Sequence, residues 1–353
     1  MNELPVVATT DSAADVANSS NPGPSSALGP AMTGEVLRGP DYLEESATPG
    51  RLSPDPALAA ALCGDLAAAG YTASAVRAGW GTIADDAIGH GLAGPAMTAL
   101  AGRDDALAVL ARMLFLGAVT ARADADRALP ALGADGLVAL GLAADAGEQL
   151  VPTALVRPQE FADEDGSGMW WIASDLDETA LRLRGLGAAL PVGHVLGVGG
   201  ASLTLAGLQL PTPAERVLDL GCGCGIQALR ARRSAASVIA TDVSARALQL
   251  TRLNALLNGV DGIQTRLGSL FDPVGGERFD RVVSNPPFVI TPRASGVPTY
   301  EYRDAGLAGD DLVAQFVSGV GAVLAPADPA TGWAGGTAQL LGNWEYRDGA
   351  DGL

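Results

Sequence analysis

Arg216-Val217-Leu218-Asp219-Leu220-Gly221-Cys222-Gly223-Cys224-Gly225-Ile226-Gln227-Ala228-Leu229 is the stretch on which the fold turns. Apolar residues lead into a glycine-rich turn, and the turn runs into helix-forming residues. This strand–turn–helix layout brings backbone close to a nucleotide-like ligand at a helix N-terminus. The spacing Asp-x-Gly-x-Gly-x-Gly departs from the dinucleotide fingerprint, because Ile226 stands where a third Gly or Ala is wanted. That departure, with Asp219, disfavours a nicotinamide-dependent oxidoreductase. Next comes Val238-Ile239-Ala240-Thr241-Asp242, a short apolar strand ending in a carboxylate able to accept both hydroxyls of a ribose.

Further along, the strand-like run Phe279 to Val283 ends in Ser284-Asn285-Pro286-Pro287-Phe288. Each proline lacks an N–H and fixes φ, so a sheet ladder must stop there. What remains is a rigid turn presenting one amide side chain, one free carbonyl and one aromatic face. Read alone, it is either a strand terminator with a buried Phe or a site that grips a planar –NH2 group.

Taken in order, these motifs resemble the class I S-adenosylmethionine-dependent methyltransferases, over roughly residues 190–346. Within them the chain is similar to the branch whose fourth strand ends in Asn-Pro-Pro-aromatic, which methylates planar amines or amides of adenine, guanine or protein glutamine. Gly268-Ser269-Leu270-Phe271-Asp272-Pro273 and Glu277-Arg278-Phe279-Asp280 look especially like release-factor glutamine methyltransferases. The resemblance implies S-adenosyl-L-methionine as cofactor, with Asp219, Gly221, Gly223 and Gly225 at its methionine part and Asp242 on its ribose. Ser269 and Leu270 would flank the adenine, although relatives often carry an acidic residue where Ser269 stands. Asn285 and the Pro286 carbonyl would accept the two hydrogens of the target –NH2, and Phe288 would stack on the target plane. Withdrawing those hydrogens frees the nitrogen lone pair for an already activated methyl, so positioning and electrostatics carry the rate. Neither a histidine base nor a metal is required. The loop Gly197-Val198-Gly199-Gly200-Ala201 would set backbone near the donor methyl.

The expected fold is α/β, a Rossmann-like methyltransferase sheet preceded by a mostly helical N-terminal domain. Its strands are predicted at Arg216–Leu220, Val238–Asp242, Gln264–Leu267, Arg281–Ser284 and Thr337–Trp344, with helices at Ile226–Arg233, Ala245–Leu257 and Asp310–Leu324. A complete domain of this class adds a helix and an antiparallel strand pair. The C-terminal strands are therefore expected to be missing from a truncated chain, leaving an apolar sheet edge at Leu340 and Leu341.

Upstream, residues 1–52 lack periodicity and read as a disordered tail. Residues 53–150 are helical, with Leu58, Leu62 and Leu66 and then Leu107, Leu110 and Leu114 at helical spacing, broken at Gly70, Gly91 and Gly117. The end of this segment, with Gln149-Leu150-Val151-Pro152, suggests a small β-wing. A winged-helix module and a plain helical cap both fit. Residues 151–195 form a β-containing connector: strands Thr153–Val156 and Met169–Ala173, an acidic hairpin loop from Glu160 to Asp165, and a helix beginning near Asp175. Trp170 and Trp171 either line a substrate cleft or, as is commoner for paired aromatics in a strand, make one core face and one inter-domain contact. Residues 196–353 make the methyltransferase domain. Thr299-Tyr300-Glu301-Tyr302-Arg303-Asp304-Ala305-Gly306 is either a substrate-gripping lid or a solvated connection.

Composition narrows the partners. All 22 basic residues are arginine, 40 residues are acidic, and the formal charge is −18. Such a chain is a poor non-specific nucleic-acid binder, though a local arginine patch leaves RNA and DNA open. Arg230, Arg232 and Arg233 are read as complements to a helix dipole. Three cysteines give no disulfide framework, and Cys222-x-Cys224 lacks a second pair or a nearby histidine to complete a metal site. His90, in a glycine-rich stretch, reads as a local structural residue. No signal peptide or apolar stretch of about 18 residues is present, so neither secretion nor a membrane span is expected, and reduced thiols suit the cytoplasm. The partner is a macromolecule, with RNA, DNA and protein glutamine all open; the alternative is a non-catalytic protein using the fold as a binding scaffold.

Overall fold

The computed structural model describes residues 51–163, 166–187, 189–191, 193–287, 310–330 and 332–344. The tail reading for residues 1–50, Phe288 and the Thr299–Gly306 loop lie outside these.

Leucine and alanine at helical spacing, each segment with its own cap, make the first part helical. Helices span Pro56–Ala68, Ala73–Trp80, Thr82–Gly89, Gly94–Ala99 and Ala106–Leu110, the last continuing as a π-turn over Ala111–Phe115. The Asp55, Thr72 and Asp105 side chains accept the free first-turn N–H groups of three of them. Gly70, Gly91 and Gly117 break the run with φ of +62°, +76° and +73°. Leu52, assigned to the tail by composition, is 1% exposed and belongs to the core.

Strand β1 (Thr120–Ala121), helices Arg122–Ala128 and Gly133–Leu140, and strands β2 (Ala143–Ala146) and β3 (Gln149–Pro152) follow. The three strands pair antiparallel in the order β1-β3-β2. Helix Gly133–Leu140 exposes only Asp135 and Ala139, and Arg122 pairs with both Asp135 and Asp145.

β4 (Ala154–Asp163) and β5 (Gly166–Asp175) form a two-stranded ribbon. Most of the expected acidic loop from Glu160 to Asp165 is therefore strand. Glu160 sits there without penalty, because its carboxylate accepts the Ser74 N–H at 3.0 Å. Trp170 is buried and stacks on Phe161 at 4.0 Å, and the Trp171 indole N–H donates to the Tyr71 carbonyl at 2.8 Å.

The helix Glu178–Leu183 and the helix Gly200–Leu208 lead to the sheet. Its strands are β6 (Ala214–Leu220), β7 (Ala235–Asp242), β8 (Ile263–Leu267), β9 (Arg281–Ser284) and β10 (Thr337–Leu340), all parallel, in the order β10-β9-β6-β7-β8. This is the doubly wound arrangement, with its topological switch between β6 and β9. β10 ends at Leu340 rather than Trp344. Its register runs from Thr337 opposite Arg281 to Leu340 opposite Ser284, and Pro286, just beyond, has no N–H with which to continue the ladder. The helix before it is likewise shorter than expected, Asp311–Val320.

Helices Ile226–Arg232 and Ala245–Leu257 pack on the sheet. The second also faces the N-terminal region, and one apolar cluster holds Leu62, Leu66 and Tyr71 together with Ile226, Leu229, Leu250, Leu253 and Leu257. Residues 51–344 thus lie within a single compact unit. The arginine cluster serves tertiary contacts instead of the helix dipole alone. Arg230 donates to the Ala206 carbonyl, Arg232 to Asp261 and the Ala235 carbonyl, and Arg233 lies over the Phe161 ring at 4.8 Å. His90 bonds the Asp86 carbonyl at its helix end, at 2.9 Å. Among the described residues no single helix is long and apolar enough to cross a membrane.

Candidate functional site

The turn after β6 is shaped by glycine. Gly221, Gly223 and Gly225 have φ of +72°, +54° and +85°, a region that L side chains enter only at a cost. A Cβ on Gly221 or Gly223 would meet nothing within 4 Å, so this backbone faces an open cradle. Gly225 has a different reason: its Cβ would fall 2.8 Å from Thr251 Oγ1. Thr251, on helix Ala245–Leu257, donates from that hydroxyl to the Gly223 carbonyl at 3.1 Å.

Asp219 stands beneath the turn, 0% exposed, with neither carboxyl oxygen in a hydrogen bond. Burial pushes its pKa up to about 8. The Ala228 N–H opposes that rise at a geometry short of a hydrogen bond, and the Asp242 carboxylate adds to it. A buried carboxyl without partners beside an open cradle is suited to a cationic group. The Cys222 and Cys224 thiols are also raised by burial, Cys224 to about 11, so both are neutral packing groups. Among the described residues no cluster of three or more His, Cys, Asp or Glu side chains is placed to hold a metal ion.

Asp242 ends β7 half-buried. One carboxylate oxygen accepts the Gly223 N–H at 3.0 Å and the other the Ser244 N–H at 2.8 Å. The residue therefore braces the glycine turn from the end of β7. The Gly268 N–H donates to the Asp242 carbonyl at 3.0 Å, which sets the Gly268-Ser269-Leu270 turn beside that carboxylate. Leu270 has φ of +45°, the one non-glycine residue with positive φ among those described. Such strain persists where surrounding structure imposes it, often at ligand sites.

β9 lies against β6 with Ser284 opposite Leu220, and the Ser284 hydroxyl donates to the Leu220 carbonyl at 2.7 Å. Asn285 consequently emerges beside Gly221. Its Nδ2 donates to Ser202 Oγ at 3.0 Å, and its Oδ1 is buried with no partner. Pro286 is buried behind it. Asp219, the three glycines, Asp242, Leu270, Asn285 and Pro286 all occupy the C-terminal ends of β6, β7, β8 and β9.

Three contributors were not legible in sequence. Ser202 comes from the first turn of helix Gly200–Leu208, Thr251 supports the glycine turn, and Asn254 binds the Cys224 carbonyl at 2.7 Å. Only tertiary packing brings them there, since polar residues within apolar helices carry no spacing signal.

Residues 199–296 match the family described as methyltransferase small domain, and residues 68–153 match a domain of unknown function, DUF7059. The release factor glutamine methyltransferase of Xylella fastidiosa is 44% identical over 77 residues, 21% of this chain and 28% of that protein. The ribosomal protein uL3 glutamine methyltransferase of Bradyrhizobium diazoefficiens is 34% identical over 117 residues, 30% and 36% of the two chains. The ribosomal RNA small subunit methyltransferase C of Escherichia coli is 38% identical over 91 residues, 25% and 26%. The chain thus spans about a quarter to a third of the length of these curated relatives.

Proposed function

We propose, for a chain whose residues 199–296 are a methyltransferase small domain of the class I S-adenosylmethionine-dependent family, that it transfers a methyl group to a planar amino or amide nitrogen of a macromolecule. The observation that carries this reading is the buried, unpartnered Oδ1 of Asn285, beside a glycine turn that opens onto free space. A pure binding scaffold gives no reason to keep such an acceptor unsatisfied.

The residues present fit the cofactor. Asp219 offers a buried carboxyl without a partner to a cationic group, the Gly221 and Gly223 backbone leaves room, and Asp242 and Leu270, at the ends of β7 and β8, are assigned in this reading to the ribose and the adenine. S-adenosyl-L-methionine, when bound, supplies a methyl already activated on sulfur. Asn285 Oδ1 and the Pro286 carbonyl accept the acceptor's two N–H hydrogens, which favours a pyramidal nitrogen with an exposed lone pair. Phe288 and the tyrosines of Thr299–Gly306 are proposed to contact the acceptor. Residues 53–150 and 151–195 would form the recognition module and connector ahead of a catalytic domain at 196–353.

Protein glutamine is the favoured acceptor. Helix Gly133–Leu140 exposes no cation, Asp135, Asp145 and Glu148 are exposed on and around it, and the nearby Arg122 is taken up by Asp135 and Asp145, where phosphate contacts would demand available arginine or lysine. Two of the relatives above are named for glutamine methylation. An RNA base amine is the second reading, supported by the relative named for ribosomal RNA.

Calorimetric titration with S-adenosylhomocysteine and with NAD tests the cofactor, and only the former is expected to bind. Transfer of a tritiated methyl into cell extract, purified release factor and ribosomal subunits tests the chemistry. Label is expected in protease-sensitive material and nowhere with Asn285→Ala. Nuclease-sensitive label would select the RNA reading, and a cofactor-binding protein that labels nothing would sink the proposal.

A further inference from the structure

A carboxamide is nearly symmetric in shape: exchanging its oxygen and its –NH2 changes almost nothing sterically but inverts its hydrogen-bonding sense. For Asn285 to receive hydrogens from a planar –NH2, Oδ1 must face the acceptor. The backbone does not decide this, because the two prolines after Asn285 fix the main chain and leave the amide free to turn over. We infer that Ser202 is a positioning residue that holds the Asn285 amide with Nδ2 towards its own hydroxyl and Oδ1 towards the acceptor, and so favours an N–H-bearing substrate over one presenting a carbonyl or ring nitrogen.

The hydroxyl of Ser202 receives the Asn285 Nδ2 hydrogen at 3.0 Å. Ser202 is itself held in place. Its carbonyl accepts Gln227 Nε2 at 2.8 Å, Gln227 Oε1 accepts Gln209 Nε2 at 2.7 Å, and Arg230 Nε donates to Ala206 O at 3.1 Å in the same helix. Gln227, Gln209 and Arg230 are 3%, 4% and 8% exposed. The helix that begins at the glycine turn therefore fixes the helix bearing Ser202. Turning the amide over would make the Ser202 hydroxyl the donor to Oδ1 and would point Nδ2, with its two hydrogens, towards an acceptor that itself presents N–H. The inference rests on the methyl-transfer reading for its purpose, but the hydrogen bond stands by itself.

Two readouts test it. In nitrogen-15 spectra the Asn285 side-chain pair, assigned by its disappearance in Asn285→Asp, is expected to show one hydrogen shifted downfield. Ser202→Ala should collapse that separation, and Ser202→Thr should restore it. In methyl transfer to whichever purified acceptor the wild type labels, Ser202→Ala is expected to lower kcat by on the order of 100-fold, as misplacement of a catalytic group does. KM and S-adenosylhomocysteine affinity should stay unchanged, with Ser202→Thr recovering most of the rate. Unaltered Asn285 signals in Ser202→Ala, or an unaltered kcat, would overturn the inference. If wild type labels nothing, the functional reading fails while the spectra still decide the role of Ser202. Should Ser202→Ala fail to fold by circular dichroism, Ser202→Cys, of similar volume but a far weaker acceptor, takes its place.

Discussion

Asp219 combines a charge-bearing side chain with complete burial and no hydrogen-bond partner. With its pKa raised to about 8 in the folded state, the carboxyl is mostly protonated at neutral pH. It is ionised in the unfolded chain above about pH 3.9. Its contribution to stability is thus full at low pH and is lost as pH rises towards 8, opposite to a salt-bridged aspartate. A ligand bringing positive charge favours the ionised form and should expel the proton. Titration of S-adenosylhomocysteine at pH 7 is therefore expected to give apparent enthalpies that differ between phosphate and Tris by up to about one proton's ionisation. Asp219→Asn should abolish the difference. Equal enthalpies for the wild type would mean that this carboxyl does not meet the ligand's charge.

Helix Ala245–Leu257 does more than cover the sheet. Asn254, 0% exposed, receives the Ala173 N–H at 2.7 Å and donates to the carbonyls of Ala173 and Cys224 at 2.9 and 2.7 Å. Asn258, just beyond the helix end, repeats the clasp on Trp171 N–H and C=O at 2.9 Å each. Spaced four apart, the two amides serve alternate residues of β5, whose outer edge would otherwise be unbonded. The same Asn254 amide also holds the glycine turn. Asn254→Ala should cost about 3 kcal/mol by stranding several buried groups, read as a lower denaturant midpoint, and should weaken S-adenosylhomocysteine binding in the same preparation. Lost stability with unchanged affinity would show that the turn holds its shape without Asn254.

At the scale of the molecule, a buried ionic cluster joins parts distant in sequence. Asp175, 2% exposed at the end of β5, receives the Val195 N–H at 2.9 Å, pairs with Arg246, and has His194 Nδ1 at 3.9 Å. Burial holds His194 below its ordinary pKa, with the Asp175 carboxylate opposing and the Arg246 guanidinium reinforcing that fall. Asp177 and Glu178 also oppose it from the following helix. The neutral ring is therefore favoured in the folded state. Its contribution is complete above the unfolded value of about 6.5 and is lost as pH falls below it. Relative to its value at pH 7.5, the urea midpoint at pH 5.5 should be higher in His194→Gln than in the wild type, whose other titrating groups are unchanged, and an equal shift in the two would refute the assignment.

What could be read in advance was whatever local chemistry dictates. The β6 turn, the ends of β7 and β9, and all of helix Ala245–Leu257 were placed closely, because glycine, proline and apolar periodicity act on the chain within a few residues. Leu270 was named for its position, but its positive φ could not be foreseen from its residue type. The β4–β5 ribbon was underestimated because its charges gain their partners from a distant helix. The sequence by itself determined the class of fold and the atoms that line the site, since backbone freedom and side-chain chemistry are properties of each residue. Only the tertiary structure decided how those atoms are held: Asn285 by Ser202, the glycine turn by Thr251 and Asn254. Each of those bonds joins groups far apart along the chain, and no local preference encodes which of many polar residues will meet.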